Sequence, residues 1–182
     1  MIREPMTNLV GLKALAYNLE TGTFISPARP EFVWSPGGLQ MSECKKCGND
    51  PRPECTCGLY VTFDVNIALE YIGFSPISPI FLVEASGTTH IYSDGFRSRE
   101  LTVHAVAPNS DDAWSKLAAS QAGDYFGVPI QELETLLIAM DIHNIKQQFF
   151  DPWTVRSSVL GKLSIEELNI FMSQTLKKNE TD

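Results

Sequence analysis

The sequence predicts an α+β protein in which a strand-rich first part is followed by a helical second part. Three observations carry this. Up to about residue 107, short apolar runs alternate with clusters of Gly, Pro, Asn and Asp, the pattern of strands and turns. After Pro108, apolar residues recur at three- and four-residue spacing, which places them on one face of a helix. Between the two halves of the strand-rich part lies a loop that holds all 4 cysteines of the chain. The expected architecture is a strongly bent antiparallel sheet or partial β-barrel over residues 1–108. It carries the cysteine loop, and a helical segment, 109–182, packs on it.

Taken in order, residues 8–17 read as a first strand, 18–22 as a turn and 23–26 as a second strand, with a third over 31–34. Ser35-Pro36-Gly37-Gly38 breaks the pattern. Residues 44–57 are too rich in Gly, Pro, Asn and Asp for regular structure. A strand over 58–63 leads into a short helix over 65–72, because the Asp64 carboxylate suits an N-cap and Ile67, Ala68, Tyr71 and Ile72 follow at helical spacing. Strands are expected over 79–85, 87–93 and 96–106, with Asp94-Gly95 as a turn. Alternation in the last puts Leu101, Val103 and Ala105 on one face and Thr102, His104 and Val106 on the other.

In the second part, Ser110-Asp111-Asp112 caps a helix over 111–122, and Pro129 opens another over 129–140 with Leu133, Leu136, Leu137 and Met140 on one face. A third starts near 163, where Ser164 and Glu167 fit a capping box. Phe149, Phe150 and Trp153 form an aromatic knot between the last two, either a plug where helices meet or an anchor for a protein partner.

Charge narrows the function classes. Lys and Arg number 14 against 22 Asp and Glu, for a net charge of -8, which argues against nucleic acid as the partner. No run of about 18 apolar residues occurs, so no membrane-spanning helix is expected, and the first residues lack a signal-peptide pattern. The expected compartment is the cytoplasm.

There thiols stay reduced, which favours metal over disulfides for the cluster Cys44-x2-Cys47-x7-Cys55-x-Cys57. Zinc takes four ligands in a tetrahedron and thiolates are its usual structural ligands. The first pair grips from a tight turn. In an extended segment residues i and i+2 share a face, so Cys55 and Cys57 also point one way. Pro51 and Pro53 stiffen the loop, and Lys45 and Lys46 offset part of the thiolate charge. Four thiolates leave no open position, so the site reads as structural zinc rather than catalytic zinc. Redox or disulfide chemistry is the alternative. With little apolar content between 35 and 57, the metal is expected to supply most of the order of this loop.

Cys55-Thr56-Cys57-Gly58-Leu59-Tyr60 resembles the Cys-x-Cys-Gly-aliphatic-Tyr motif of a group of uncharacterised actinobacterial and phage proteins. In that group an apolar strand ending in Gly follows, then Gly-aromatic-Arg, matched here by residues 80–87 and Gly95-Phe96-Arg97. Tyr125-Phe126-Gly127-Val128-Pro129 matches a Tyr-Gly-Val-Pro element with one inserted Phe. The resemblance spans roughly residues 12–130. It implies the zinc site and the Gly95-Phe96-Arg97 turn, and no activity. The strand 58–63 with Ala68 and Tyr71 behind it also faintly resembles an element of ADP-ribosyltransferases. That likeness implies a nucleotide-like ligand and offers Glu100 as the acid, but the first strand supplies only Lys13 where that family has a His or Arg step.

The remaining chemistry is sparse. Arg97, Glu100 and His104 form a candidate ligand-binding set, and His90 and His104 on neighbouring strands could meet as an acid–base pair. His143 reads as a helix-end cation. No phosphate loop and no nucleophile elbow appear. The expected function is a zinc-stabilised, non-enzymatic binding or regulatory module with a protein partner. The alternatives are an enzyme acting on a nucleotide-like ligand and a nucleic-acid-binding zinc protein.

Overall fold

The structure is a computed structural model that describes residues 9–146, apart from 43, 45, 48–50, 53, 74 and 76. It is α+β, as expected. The strands are β1 (Val10–Ala14), β2 (Ala16–Asn18), β3 (Thr23–Ser26), β4 (Arg29–Trp34), β5 (Leu39–Met41), β6 (Leu59–Thr62), β7 (Ile80–Ile91) and β8 (Gly95–Ala107). The helices are α1 (Val65–Tyr71), α2 (Ala113–Phe126) and α3 (Leu133–Lys146). No helix among the described residues is long and apolar enough to cross a membrane. The aromatic knot Phe149, Phe150 and Trp153 and the third predicted helix lie outside the described residues.

The framework is the β7–β8 hairpin, whose long strands bring both edges into use. β8 pairs with β6 and β5 along its outer edge, and β7 pairs with β1 along its own. β1 and β6 then meet at a single pair, Leu12↔Thr62. The pairings thus run β8–β6–β1–β7 and return to β8. With one pair joining β1 to β6, the ring stops short of a continuous barrel, and the sheet is strongly bent. β2, β3 and β4 form a separate three-stranded meander. The single first strand expected over 8–17 is therefore two strands in two sheets, divided at Leu15, which is fully buried.

Two bulges produce the bend. Ser86↔Glu100 is followed by Thr89↔Ser98, so β7 carries one residue more than β8 there, next to Gly87 at φ 72°. Glycine tolerates that left-handed backbone, so the two strands expected over 79–85 and 87–93 are one bent strand. In β8, Val83↔Val103 is followed by Leu82↔Ala105, which makes His104 the extra residue. The bulge reverses the alternation: Leu101, Val103 and Val106 share one buried cluster, while Ala105 and Ala107 join another.

These clusters lie on either side of the sheet. One gathers Phe24, Trp34, Phe81 and Phe96 with Ala119, Ala122 and Phe126 of α2, the rings of Phe24, Phe81 and Phe126 lying 5.2–5.9 Å apart. The other packs Val10, Leu12, Ala14 and Leu82 against Ala68 of α1 and Leu136 and Met140 of α3. The Asn144 side chain in α3 bonds both backbone groups of Val10, at 3.0 and 2.7 Å.

Helix starts follow their caps. The Asp64 carboxylate accepts from Asn66 N–H at 2.8 Å, and that of Asp112 from Trp114 and Ser115 N–H at 2.9 and 3.0 Å. Pro129 does not open a helix. Its carbonyl accepts from Val106 N–H, and Ile130 bridges in parallel to Val106, so extended chain runs on to Glu132 and α3 begins at Leu133. β5 was not expected, since a three-residue strand beside a Pro-Gly-Gly breaker has no periodicity to read. It exists because β8 extends far enough to offer it a partner edge.

Candidate metal centre

The four cysteines converge. One ligand atom from each of Cys44, Cys47, Cys55 and Cys57 lies within 4.8 Å of the others, so together they can hold a metal ion. All four are free thiols, and Cys47 and Cys57 are buried. The Sγ atoms of Cys44 and Cys55 are 3.7 Å apart and those of Cys47 and Cys57 are 2.9 Å apart. A tetrahedral ion with bonds of about 2.3 Å to sulfur sets sulfurs about 3.8 Å from each other, so the donors match such an ion in kind and number; the Cys44–Cys55 pair is at that spacing, and the Cys47–Cys57 pair would have to open to reach it. Without a metal the thiols conflict. Hydrogen bonds from the Cys47 thiol, and from the backbone amides of Cys47 and Lys46, draw Cys44 down to about 6. Burial and the neighbouring thiols push Cys57 far above the usual thiol range. A shared cation removes the conflict by neutralising the thiolates together.

The loop is clamped to the sheet by one cross-strand row. Tyr60 on β6, Arg97 on β8 and His90 on β7 are consecutive register partners. The Tyr60 hydroxyl donates to Thr56 O at 3.0 Å. Arg97 Nη1 donates to Cys55 O, and Nη2 to Arg52 O at 2.9 Å. His90 Nε2 meets Pro51 O at 2.8 Å, and since a carbonyl only accepts, the proton sits on Nε2. Three strands thereby satisfy four carbonyls of a segment that has no ladder of its own. Arg97 is 2% exposed and has no carboxylate partner among the described residues, and its guanidinium carbon stands 5.7 Å from the Tyr60 ring centre.

Gly58 makes this approach possible. Its φ is +109°, and a Cβ there would lie 2.6 Å from Arg97 Cγ and 3.2 Å from Pro51 Cγ. Gly58→Ala is therefore expected to weaken the chain by about 2 kcal/mol or more, through backbone strain and displacement of Arg97. Urea unfolding of the metal-loaded protein measures it, and an unchanged midpoint refutes the close approach.

The candidate set Arg97, Glu100 and His104 is not brought together. Arg97 is committed to the loop carbonyls. Glu100 lies 3.3 Å from Arg99 and from the Ser86 hydroxyl. His104, in its bulge, contacts Glu84 at 2.6 Å. From Arg97 to His104 the strand runs roughly 23 Å at about 3.3 Å per residue. His90 and His104 do not meet either, since His90 is under the cysteine loop and His104 is exposed. The roles of Tyr60 and His90 were missed from sequence. The available signal was the pairing of the Cys-x-Cys-Gly-Leu-Tyr run with Gly-Phe-Arg, which β6 and β8 place side by side.

Compared with protein families, curated proteins and solved structures, the chain matches none. Fold and site therefore define its class: an α+β protein with a bent antiparallel sheet and a four-cysteine centre capable of holding a metal ion.

Proposed function

We propose that this chain is a non-enzymatic binding module in which one zinc ion staples the cysteine loop to the sheet. The observation that carries this reading is the meeting of four thiols with a buried guanidinium that has no acid partner among the described residues. Zinc with four thiolates bears about two net negative charges. Arg97, donating to the carbonyl of a ligand residue, is the buried positive charge that offsets them. Four protein donors fill the tetrahedron, so substrate has no open position, and the metal supports the fold rather than reacting. Binding is favoured over catalysis because Arg97, Glu100 and His104 each engage a different neighbour. A protein partner remains the proposed binding target.

Metal analysis of protein purified under reducing conditions tests the assignment. One zinc per chain is expected, and stripping it with a strong chelator should lower the melting temperature. Iron in place of zinc would overturn the choice of metal. A chain that holds no metal and melts identically with and without chelator would overturn the staple.

A further inference from the structure

One buried charge plays no part in the metal centre. Lys13, the fourth residue of β1, is 8% exposed. Burial lowers its pKa from 10.5 to about 8, which leaves it mostly protonated at neutral pH. No ion pair or hydrogen bond engages its ammonium among the described residues. An ammonium on a largely buried side chain without a counter-ion is costly, and an anionic ligand would relieve that cost.

The space for one is adjacent. Lys13 lines a half-open cavity of about 320 Å³ between β1, β6, α1 and the β7–β8 turn. That volume is at the lower end of small-molecule sites. Ala68, Tyr71, Tyr92 and Phe96 give it apolar and aromatic walls, with Asp94 among the few polar groups. A second cavity of about 100 Å³ shares Lys13, Tyr60 and Tyr71. The recipe is that of a site for one flat apolar body with one negative charge. Asp94 is exposed at the hairpin turn and disfavours a second negative charge on the same ligand.

We propose that this cavity binds a small aromatic monocarboxylate, its carboxylate on Lys13 Nζ and its ring against Tyr71, Ala68 and Phe96. The proposal rests on reading the chain as a binding module and adds a small-molecule ligand beside the proposed protein partner. The metal enters only through Tyr60, a wall residue whose hydroxyl is held by the loop.

The test is calorimetric titration of the metal-loaded full chain with 2-naphthoate and with uncharged 2-naphthamide. Naphthoate is expected to bind at least about tenfold more tightly than the amide. Lys13→Met, which removes a buried charge and should fold, is expected to abolish that preference while leaving amide binding unchanged. A second measurement uses the unaltered protein: naphthoate, but not naphthamide, should slow acetylation of Lys13 by acetic anhydride about tenfold, read by peptide mass. Equal affinities, no binding of either compound, a preference that survives Lys13→Met, or unprotected Lys13 overturns the proposal. Metal content measured on the same samples separates the two readings. Zinc without naphthoate selectivity defeats the pocket alone, and selectivity without zinc defeats the staple alone.

Discussion

Cys57→Ser protein is expected to lose its metal to a chelator of moderate strength, under conditions in which the unaltered chain keeps one ion. Serine is a poor ligand because its hydroxyl does not ionise near neutral pH, so the site falls from four thiolates to three. Structural zinc is bound with apparent free energies of about 10–16 kcal/mol. A quarter of that is roughly 2.5–4 kcal/mol, or about a hundredfold to a thousandfold in affinity. The damage should be local. Neither buried cluster draws a residue from 35–58, so the β7–β8 hairpin and α2 keep their packing when the loop is released. Hydrogen exchange resolves this: amides of Cys55 and its neighbours should lose protection while those of β7 and β8 retain it. Retention of metal by the variant would remove Cys57 from the ligand set, and collapse of the whole sheet would show that the loop is not a separate unit.

Arg97→Met should be the most damaging change outside the cysteines. It removes the charged donors to Cys55 O and Arg52 O in a part-buried setting, leaving Arg52 O with Cys55 N–H at 3.0 Å. Hydrogen bonds from a charged donor are worth about 1.5–3 kcal/mol each, so a loss of about 3 kcal/mol or more is expected in urea unfolding. Groups that orient metal ligands typically change affinity about 10–100-fold, and chelator competition should show a loss of that size. Arg97→Lys should fall between the two. It restores the charge, but an ammonium on a flexible stem does not reproduce the planar fork that reaches two carbonyls at once. Wild-type metal affinity in Arg97→Met would mean that this guanidinium neither holds the loop nor compensates the centre.

The two variants read different parts of one device. Cys57 probes the ion, and Arg97 probes the seam between loop and sheet. If loss of metal loosens residues 51–57, Tyr60 loses its acceptor at Thr56 O, and with it a fixed wall of the Lys13 cavity. Metal occupancy and ligand affinity would then be coupled through the loop.

Much of this was legible in the chain itself. The cysteine spacing, the Asp64 and Asp112 region caps and the switch from strand to helix after Pro108 are local signals, and each is set by residues a few positions apart. The grouping of the four cysteines belongs to the same kind, because their spacing is local, from Cys44 to Cys57. What sequence alone did not determine depends on neighbours remote along the chain. The bulge at His104 appears only when β8 is paired against β7, and it moves Ala105 to the face opposite Val103. β5 forms because β8 supplies an edge, and Pro129 is extended because Val106 bonds it. Arg97 looked like a ligand-binding group on a turn. The register Tyr60↔Arg97↔His90 turned it into a clamp, since only pairing of three strands brings those side chains beneath one loop. Lys13 looked like an ordinary strand residue, and its burial, with no charge partner among the described residues, follows from the way β1, β6 and α1 pack beside it.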